Sequence, residues 1–197
     1  MANLKLKIPV RSFSGEKWKT NKTNKNYLRI DFNERCAYCD DWDNLNGGAR
    51  YYHVDHFAPK NKFPLLKYDY GNLLYACPFC NGSKSDKWPS DDAKKNIVGN
   101  EGFIDPCSDE YYKHLHRNED GSIGYDTDLG KYMFEELNLG LKRHKILYEM
   151  SKLHIELSKL DNLIKEKKEK DEDTAELEKL MGAFATKYWK TDTNRFE

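Results

Sequence analysis

The sequence has no long apolar run and no overall excess of either charge. No segment approaches the ~20 consecutive apolar residues of a transmembrane helix. The opening residues, Met-Ala-Asn-Leu-Lys-Leu-Lys, lack the apolar stretch of a secretory signal. We therefore expect a cytoplasmic protein without membrane contact, in which thiols stay reduced. Lys and Arg number 33 and Asp and Glu number 33, so a net basic charge that would favour nucleic acid is also lacking.

The charge is nevertheless distributed unevenly along the 197 residues, a length that suits one domain, with or without an appendage. Residues 1–35 contain nine Lys or Arg and three acidic residues, whereas residues 161–180 contain five Lys and eight acidic residues. The basic N-terminal arm could contact phosphate groups, or it could be a solvated segment that keeps the chain soluble. The 13 Tyr, 9 Phe and 4 Trp argue against a disordered chain.

Cysteine is scarce, and four of the five cysteines form two closely spaced pairs, Cys36-x2-Cys39 and Cys77-x2-Cys80. This spacing lets two thiolates from each of two tight turns converge on one ion. Four thiolates make a closed tetrahedral site, so we predict a structural Zn²⁺ bound by these cysteines; an iron–sulfur centre is the alternative. Cys107 has no such partner and is interpreted as a small apolar residue.

The segment between and after the cysteine pairs predicts two strands followed by a helix. Residues 51–57 are rich in aromatic and β-branched residues, and residues 72–76 form a second short apolar run. A helix is expected to begin near residue 80 or 81 and to end before Pro89. Strand, loop, strand, cysteine turn and helix together make a ββα unit.

Polar residues in this unit could supply phosphodiester chemistry. An ionised Asp55 suits Mg²⁺, which prefers oxygen ligands, and a neutral His56 suits a general base. Strand alternation is expected to place these two side chains on opposite faces, with His53 on the face of Asp55, where it is either a third ligand or a hydrogen-bonded strand residue. Asn81, directly after Cys80, could be a second Mg²⁺ ligand or a helix N-cap.

Two further residues of the unit have both a functional and an ordinary interpretation. Asn72 could hydrogen-bond to the imidazole or the backbone of His56 and orient it, or it could be a turn residue after Gly71. Lys84 lies one helical turn beyond Asn81, where it could contact a phosphate or simply be solvated. The remaining histidines have no visible cluster around them and are predicted to be ordinary surface or core residues: His114, His116, His144 and His154.

The C-terminal part is predicted to be helical after a β-hairpin at residues 111–126. One helix is expected from residue 127 or 128 to about 137, a long one from 141, and a last one over residues 177–188, with the charged stretch 165–173 as a solvated end or linker. The long helix carries a heptad seam of apolar residues, which seeks a partner helix in a homo-oligomer, in another protein or in the final helix of the same chain. The seam consists of Ile146, Met150, Leu153, Leu157, Leu160 and Ile164.

Asp55-His56, Asn72 and Asn81, set between paired CxxC motifs, resemble an HNH endonuclease with a ββα-metal (His-Me finger) core. The longer run from His53 to Pro89 is similar to the HNH proteins of Septu-type and retron-associated anti-phage systems, which often carry Glu at the position of Asp55. A weaker similarity extends to about residue 147, and the segment from residue 148 onward is not assigned to a family.

The resemblance implies an α+β fold with a small zinc-bound ββα-metal core and hairpin at residues 36–126, between the basic arm at 1–35 and a helical region at 127–197. It implies that Asp55 and Asn81 hold Mg²⁺ or Mn²⁺, that His56 activates water, and that DNA is cut to leave 5′ phosphates. Lys60 and Lys84 are then candidate substrate-binding residues, and an ATPase partner is expected. The alternatives are a non-catalytic zinc module and a nuclease subunit that is dormant until a partner binds.

Overall fold

The computed structural model, which describes residues 2–13, 16 and 20–193, contains both helices and short strands. The α+β class is confirmed. The helices are α1 (Asn21–Asp31), α2 (Pro78–Lys84), α3 (Asp128–Glu136), α4 (Lys142–Glu169) and α5 (Ala175–Thr193). The strands are β1 (Ala2–Asn3), β2 (His53–His56), β3 (Leu73–Ala76), β4 (Ile97–Val98), β5 (Glu101–Gly102), β6 (Leu115–Arg117) and β7 (Ile123–Tyr125).

The central unit is the antiparallel pair β2–β3 followed directly by α2. His53 lies opposite Ala76 and His56 lies opposite Leu73. All four residues of β3 are buried, because one strand of this two-stranded sheet runs through the core. The helix α2 begins at Pro78, two to three residues earlier than expected, since proline is well suited to the first helical turn and the sulfur of Cys77 caps the helix.

The first 35 residues contribute to the core, so they are more than the solvated segment that was one of the two interpretations of the basic arm. β1 pairs with β6, with Asn3 opposite His116. Helix α1 packs against β2 and β3, and Leu4 and Leu28 are fully buried. Two of the basic residues, Lys17 and Lys19, lie outside the described residues.

The predicted hairpin is present but shorter than expected. β6 and β7 are antiparallel, with Leu115 opposite Tyr125, and join β1 in a three-stranded sheet. Residues 109–113 form a 3₁₀ helix instead of the start of a strand, because the hydroxyl of Ser108 accepts a hydrogen bond from the backbone N–H of Glu110.

The long helix α4 continues to Glu169, so the charged stretch 165–173, expected to be a solvated end or a linker, contains both the exposed end of the helix and the start of the connection to α5. Ion pairs four residues apart stabilise the helix there, with the ammonium of Lys165 2.6 Å from Asp161 and that of Lys170 2.6 Å from Glu166. Only residues 170–174 separate α4 from α5, and the two helices pack against each other.

The heptad seam of α4 finds its partners within the chain. Ile146, Met150, Leu153 and Ile164 are buried by the core and by α5. An unpartnered seam was the reason to predict a homo-oligomer through residues 146–164, and intramolecular packing removes that reason. Within the described part of the chain, no helix combines the length and apolar character needed to cross a membrane.

Candidate active site

The two cysteine pairs meet in a buried cluster at the base of the ββα unit. The four sulfurs lie within 4.8 Å of one another, and Cys39 Sγ is 3.8 Å from Cys77 Sγ. Sulfurs bound at about 2.3 Å to one tetrahedral ion would lie about 3.8 Å apart, so the spacing fits a closed zinc site. The backbone N–H of Cys77 donates to Cys36 Sγ at 3.3 Å and that of Cys80 to Cys77 Sγ at 3.4 Å, which would stabilise thiolate charge.

Asp55 is held by a residue of the first cysteine turn. The hydroxyl of Tyr38 donates to Asp55 Oδ2 at 2.6 Å, and the backbone N–H of His56 donates to Oδ1 at 2.8 Å. Burial raises the pKa of Asp55, whereas the charge of Lys84 and the Tyr38 hydrogen bond lower it. Sequence analysis missed Tyr38; the only available signal was its place beside Cys39.

The imidazole of His56 is fixed in one tautomer by a single contact. Its Nε2 lies 3.0 Å from the carbonyl oxygen of Lys67. A carbonyl oxygen only accepts hydrogen bonds, so Nε2 carries the proton and Nδ1 carries the lone pair. Burial lowers the pKa of His56, and the nearby charge of Lys60 adds to that effect. The ring is therefore a neutral base at pH 7 with Nδ1 available to accept a proton.

An open cleft of about 700 Å³ lies at the end of β2. Asp55 and His56 both line it, at the point where the strand ends. Asn81 and three lysines also line this cleft. Its lining residues are Lys22, Lys25, Tyr52, His53, Val54, Asp55, His56, Pro59, Lys60, Asn61, Asn81, Gly82, Ser85 and Asp86.

Asn81 lies in the second turn of α2, and Cys77 is the N-cap, so the N-cap interpretation of Asn81 is wrong. Among the described residues the carboxamide of Asn81 makes no hydrogen bond and remains available beside the cleft. His53 lines the same cleft, and burial together with the charge of Lys25 lowers its pKa.

Asn72 acts on the loop after His56 and not on the imidazole, which corrects one of its expected roles. Its carboxamide oxygen accepts from the backbone N–H of Ala58 at 2.8 Å, and its Nδ2 donates to the carbonyls of Ala58 at 3.0 Å and Leu66 at 3.3 Å. It is buried and is not among the residues that line the cleft. Asn72 therefore holds the loop that carries the Lys67 carbonyl.

Lys84 does not reach the cleft surface, which is a correction to its expected phosphate contact. Its side chain is fully buried, and its Nζ donates to the carbonyl oxygen of His56 at 3.1 Å. Burial lowers the pKa of Lys84 and the charge of Asp55 raises it. Lys60 remains exposed and lines the cleft.

One histidine without an expected cluster belongs to a buried polar group. His144 Nδ1 lies 2.9 Å from Asp41 Oδ2, which also accepts from Arg143 at 2.6 Å. Cys39, Asp41 and His144 bring their ligand atoms within 4.8 Å of one another. This group attaches the start of α4 to the four-cysteine centre, and the long sequence separation gave no signal for it. Each of the other three histidines contacts one of these side chains: His114 contacts Thr127, His116 contacts Asp126 and His154 contacts Trp42.

A four-cysteine centre that frames an Asp-His pair and an Asn beside an open cleft is the arrangement expected of an HNH nuclease domain. Residues 36–87 match the family described as HNH endonuclease, so the chain contains an HNH endonuclease domain. No solved structure matches the chain.

The relatives with curated names are Septu proteins. Septu protein PtuB of Bacillus thuringiensis is 35% identical over 83 residues, covering 42% of this chain and 28% of the relative. Septu protein PtuB of Bacillus mycoides strain KBAB4 is 26% identical over 162 residues, covering 71% of this chain and 54% of the relative. Septu protein PtuA of that strain is 26% identical over 147 residues, covering 63% of this chain and 20% of the relative. The chain thus spans about half or less of the length of each relative.

Proposed function

We propose that the chain is a metal-dependent endonuclease that hydrolyses DNA phosphodiester bonds, with His56 as general base and Asp55 and Asn81 as the protein ligands of one Mg²⁺ or Mn²⁺. The observation that carries this proposal is the state of His56. Its Nε2 is occupied by the Lys67 carbonyl, its Nδ1 is unpartnered among the described residues, and it adjoins Asp55 in an open cleft. A non-catalytic zinc module has no need of that arrangement.

The residues of the cleft have separate tasks in this mechanism. His56 accepts a proton from water at Nδ1, because its lowered pKa keeps the ring neutral. A divalent cation would polarise the phosphate and stabilise charge on the leaving 3′ oxygen. Asp55 offers two oxygens fixed by Tyr38 and by the His56 amide, and Asn81 offers a carboxamide oxygen, both suited to a hard ion. The products would carry 5′ phosphates.

Lysines around the cleft suit a phosphate backbone. Lys22 and Lys25 of α1 and Lys60 after β2 line it together, so the basic N-terminal arm contributes positive charge where a substrate would lie. We propose DNA as the substrate on this basis and on the HNH family match.

The Septu relatives supply a proposal for the setting. We propose that the protein is the nuclease of an anti-phage defence system, since its relatives are Septu proteins PtuA and PtuB. We also propose that it works with an ATPase partner, as the resemblance to the HNH proteins of Septu-type systems implies. Ligation of zinc by four cysteines requires reduced thiols, which suits a cytoplasmic location.

The test is cleavage of supercoiled plasmid and of matched RNA by zinc-loaded protein with Mg²⁺ or Mn²⁺, alone and with any co-purified partner. We expect DNA to be cut, His56→Ala to abolish cutting and bound zinc to be unchanged. His116→Ala is the matched control, because His116 lies on the hairpin and does not line the cleft. Full activity in His56→Ala would refute the mechanism, and preference for RNA would refute the substrate.

A further inference from the structure

Lys84 is a cation placed in the interior directly behind the candidate active site. It is the last residue of α2 and is fully buried. A buried ammonium is costly unless it is bonded and its charge is compensated. A lysine that is merely a helix-surface residue would extend into solvent, so the burial of this one needs a physical reason.

The partners of Lys84 are the backbone and side chain of the proposed catalytic pair. Its Nζ donates to the His56 carbonyl at 3.1 Å, and the carboxylate of Asp55 provides the opposite charge. The ring of Phe103 lies 5.5 Å from Nζ, at a distance where its face attracts a cation. The negative charges of Asp55 and, to a smaller extent, Asp86, together with the ring, compensate the buried ammonium.

His56 is thereby held at two points. The Lys67 carbonyl fixes its ring, and Lys84 fixes its backbone carbonyl. Two anchors on one residue define both the position of the end of β2 and the direction of the imidazole, which is the geometry that a general base needs.

We propose that Lys84 is a positioning residue, which fixes the backbone of His56 and places a positive charge behind Asp55. The inference rests on the proposed nuclease function. It makes a distinctive prediction: loss of Lys84 slows the chemical step because His56 is less well held, but it does not weaken binding of a divalent cation. Removal of a nearby positive charge favours that binding.

The experiment compares wild-type protein with Lys84→Met, which removes both the charge and the hydrogen bond, and Lys84→Gln, which keeps an amide donor. Lys87→Met is the matched control, since Lys87 is exposed and pairs with Glu136 away from the cleft. Two quantities are measured at pH 8 with zinc-loaded protein: Mn²⁺ affinity from the electron paramagnetic resonance of free Mn²⁺, and the single-turnover cleavage rate at saturating Mn²⁺.

We expect the rate of Lys84→Met to fall by about 10-fold or more, with equal or tighter Mn²⁺ binding, a smaller loss in Lys84→Gln and no change in Lys87→Met. An unchanged rate in Lys84→Met overturns the proposal. A rate and an Mn²⁺ affinity that fall together with zinc content also overturn it, because they show a purely structural lysine. Absence of cleavage by the wild type would instead refute the nuclease function, while the Mn²⁺ measurement would still test the role of the charge.

If Lys84→Met does not fold, the proposal is tested by a nuclear magnetic resonance measurement on protein that keeps Lys84. Buried, bonded lysine ammonium protons exchange slowly and give a ¹H–¹⁵N signal that exposed lysines do not give. Lys5 is the other buried lysine among the described residues, so Lys5→Met leaves the signal of Lys84 alone. A signal that shifts when Mg²⁺ is added supports the proposal; no protected signal, or a signal unaffected by Mg²⁺, overturns it.

Discussion

Replacement of Tyr38 by phenylalanine removes one hydroxyl that joins the cysteine turn to Asp55. Tyr38 is fully buried, and its hydroxyl lies 2.6 Å from a carboxylate oxygen of a residue that is only 6% exposed. Hydrogen bonds to charged groups contribute about 1.5–3 kcal/mol, and the loss leaves a buried carboxylate with one fewer donor. Since the phenylalanine ring fills nearly the same space, we expect the free energy of unfolding to fall by about 2 kcal/mol.

The chain contains a matched control for this substitution. Tyr75 is also fully buried and donates to a carboxylate oxygen of Asp43 at 2.6 Å, but it does not line the cleft. Arg29 remains paired with Asp43 after Tyr75→Phe, so that variant should lose the same stability or somewhat less. Urea denaturation with saturating zinc measures the free energy of unfolding of both variants.

Cleavage should distinguish the two variants. Replacing a residue that orients a metal ligand typically lowers metal affinity or activity 10–100-fold. Tyr38→Phe should therefore cut plasmid at least about 10-fold more slowly than the wild type. Tyr75→Phe should cut it at the wild-type rate. Equal cleavage rates for the two variants at matched stability would refute the view that Tyr38 positions Asp55 for catalysis.

Two further predictions concern the general base and the attachment of α4. Because burial lowers the pKa of His56 and the neutral ring accepts the proton, the single-turnover rate should fall as the pH drops, with a midpoint below the ordinary 6.5; a midpoint above 6.5 would contradict the assignment. Asp41→Ala leaves Arg143 and the buried His144 without their carboxylate and should lower the unfolding free energy by about 3–5 kcal/mol. Asp120→Ala, at an exposed carboxylate that pairs with Lys145 and accepts hydrogen bonds from Ser122, should lower the unfolding free energy far less in the same urea titration.

The local patterns of the sequence were sufficient for the central unit. Paired CxxC motifs predicted the four-cysteine cluster, and a β-branched, aromatic run predicted β2, because each depends on residues a few positions apart. The charged stretch 165–173 was expected to be a solvated helix end or a linker, because such a stretch is solvated as a coil or as a helix; the ion pairs at i,i+4 favour the helix up to Glu169.

Residue roles that depend on long-range packing were harder to predict from the sequence. Asp41 and His144 are 103 positions apart, so no spacing rule links them. Lys84 was expected to be exposed because lysines are usually solvated, but the approach of Phe103 and of the end of β2 encloses it. Asn72 was recognised as a residue that supports His56, yet its partners, Ala58 and Leu66, depend on a loop path that sequence does not specify.

The closed cysteine centre and the open cleft are joined by very short connections. Asn81 directly follows Cys80 in the chain, and Asp55 is one hydrogen bond away from Tyr38, which directly precedes Cys39. Each residue proposed to hold the catalytic ion is thus one covalent or one hydrogen-bonded step from a cysteine turn. A loose cysteine centre would displace both residues at once, and since displacements near 1 Å can cost about 100-fold in rate, the precision of the open site depends on the closed one.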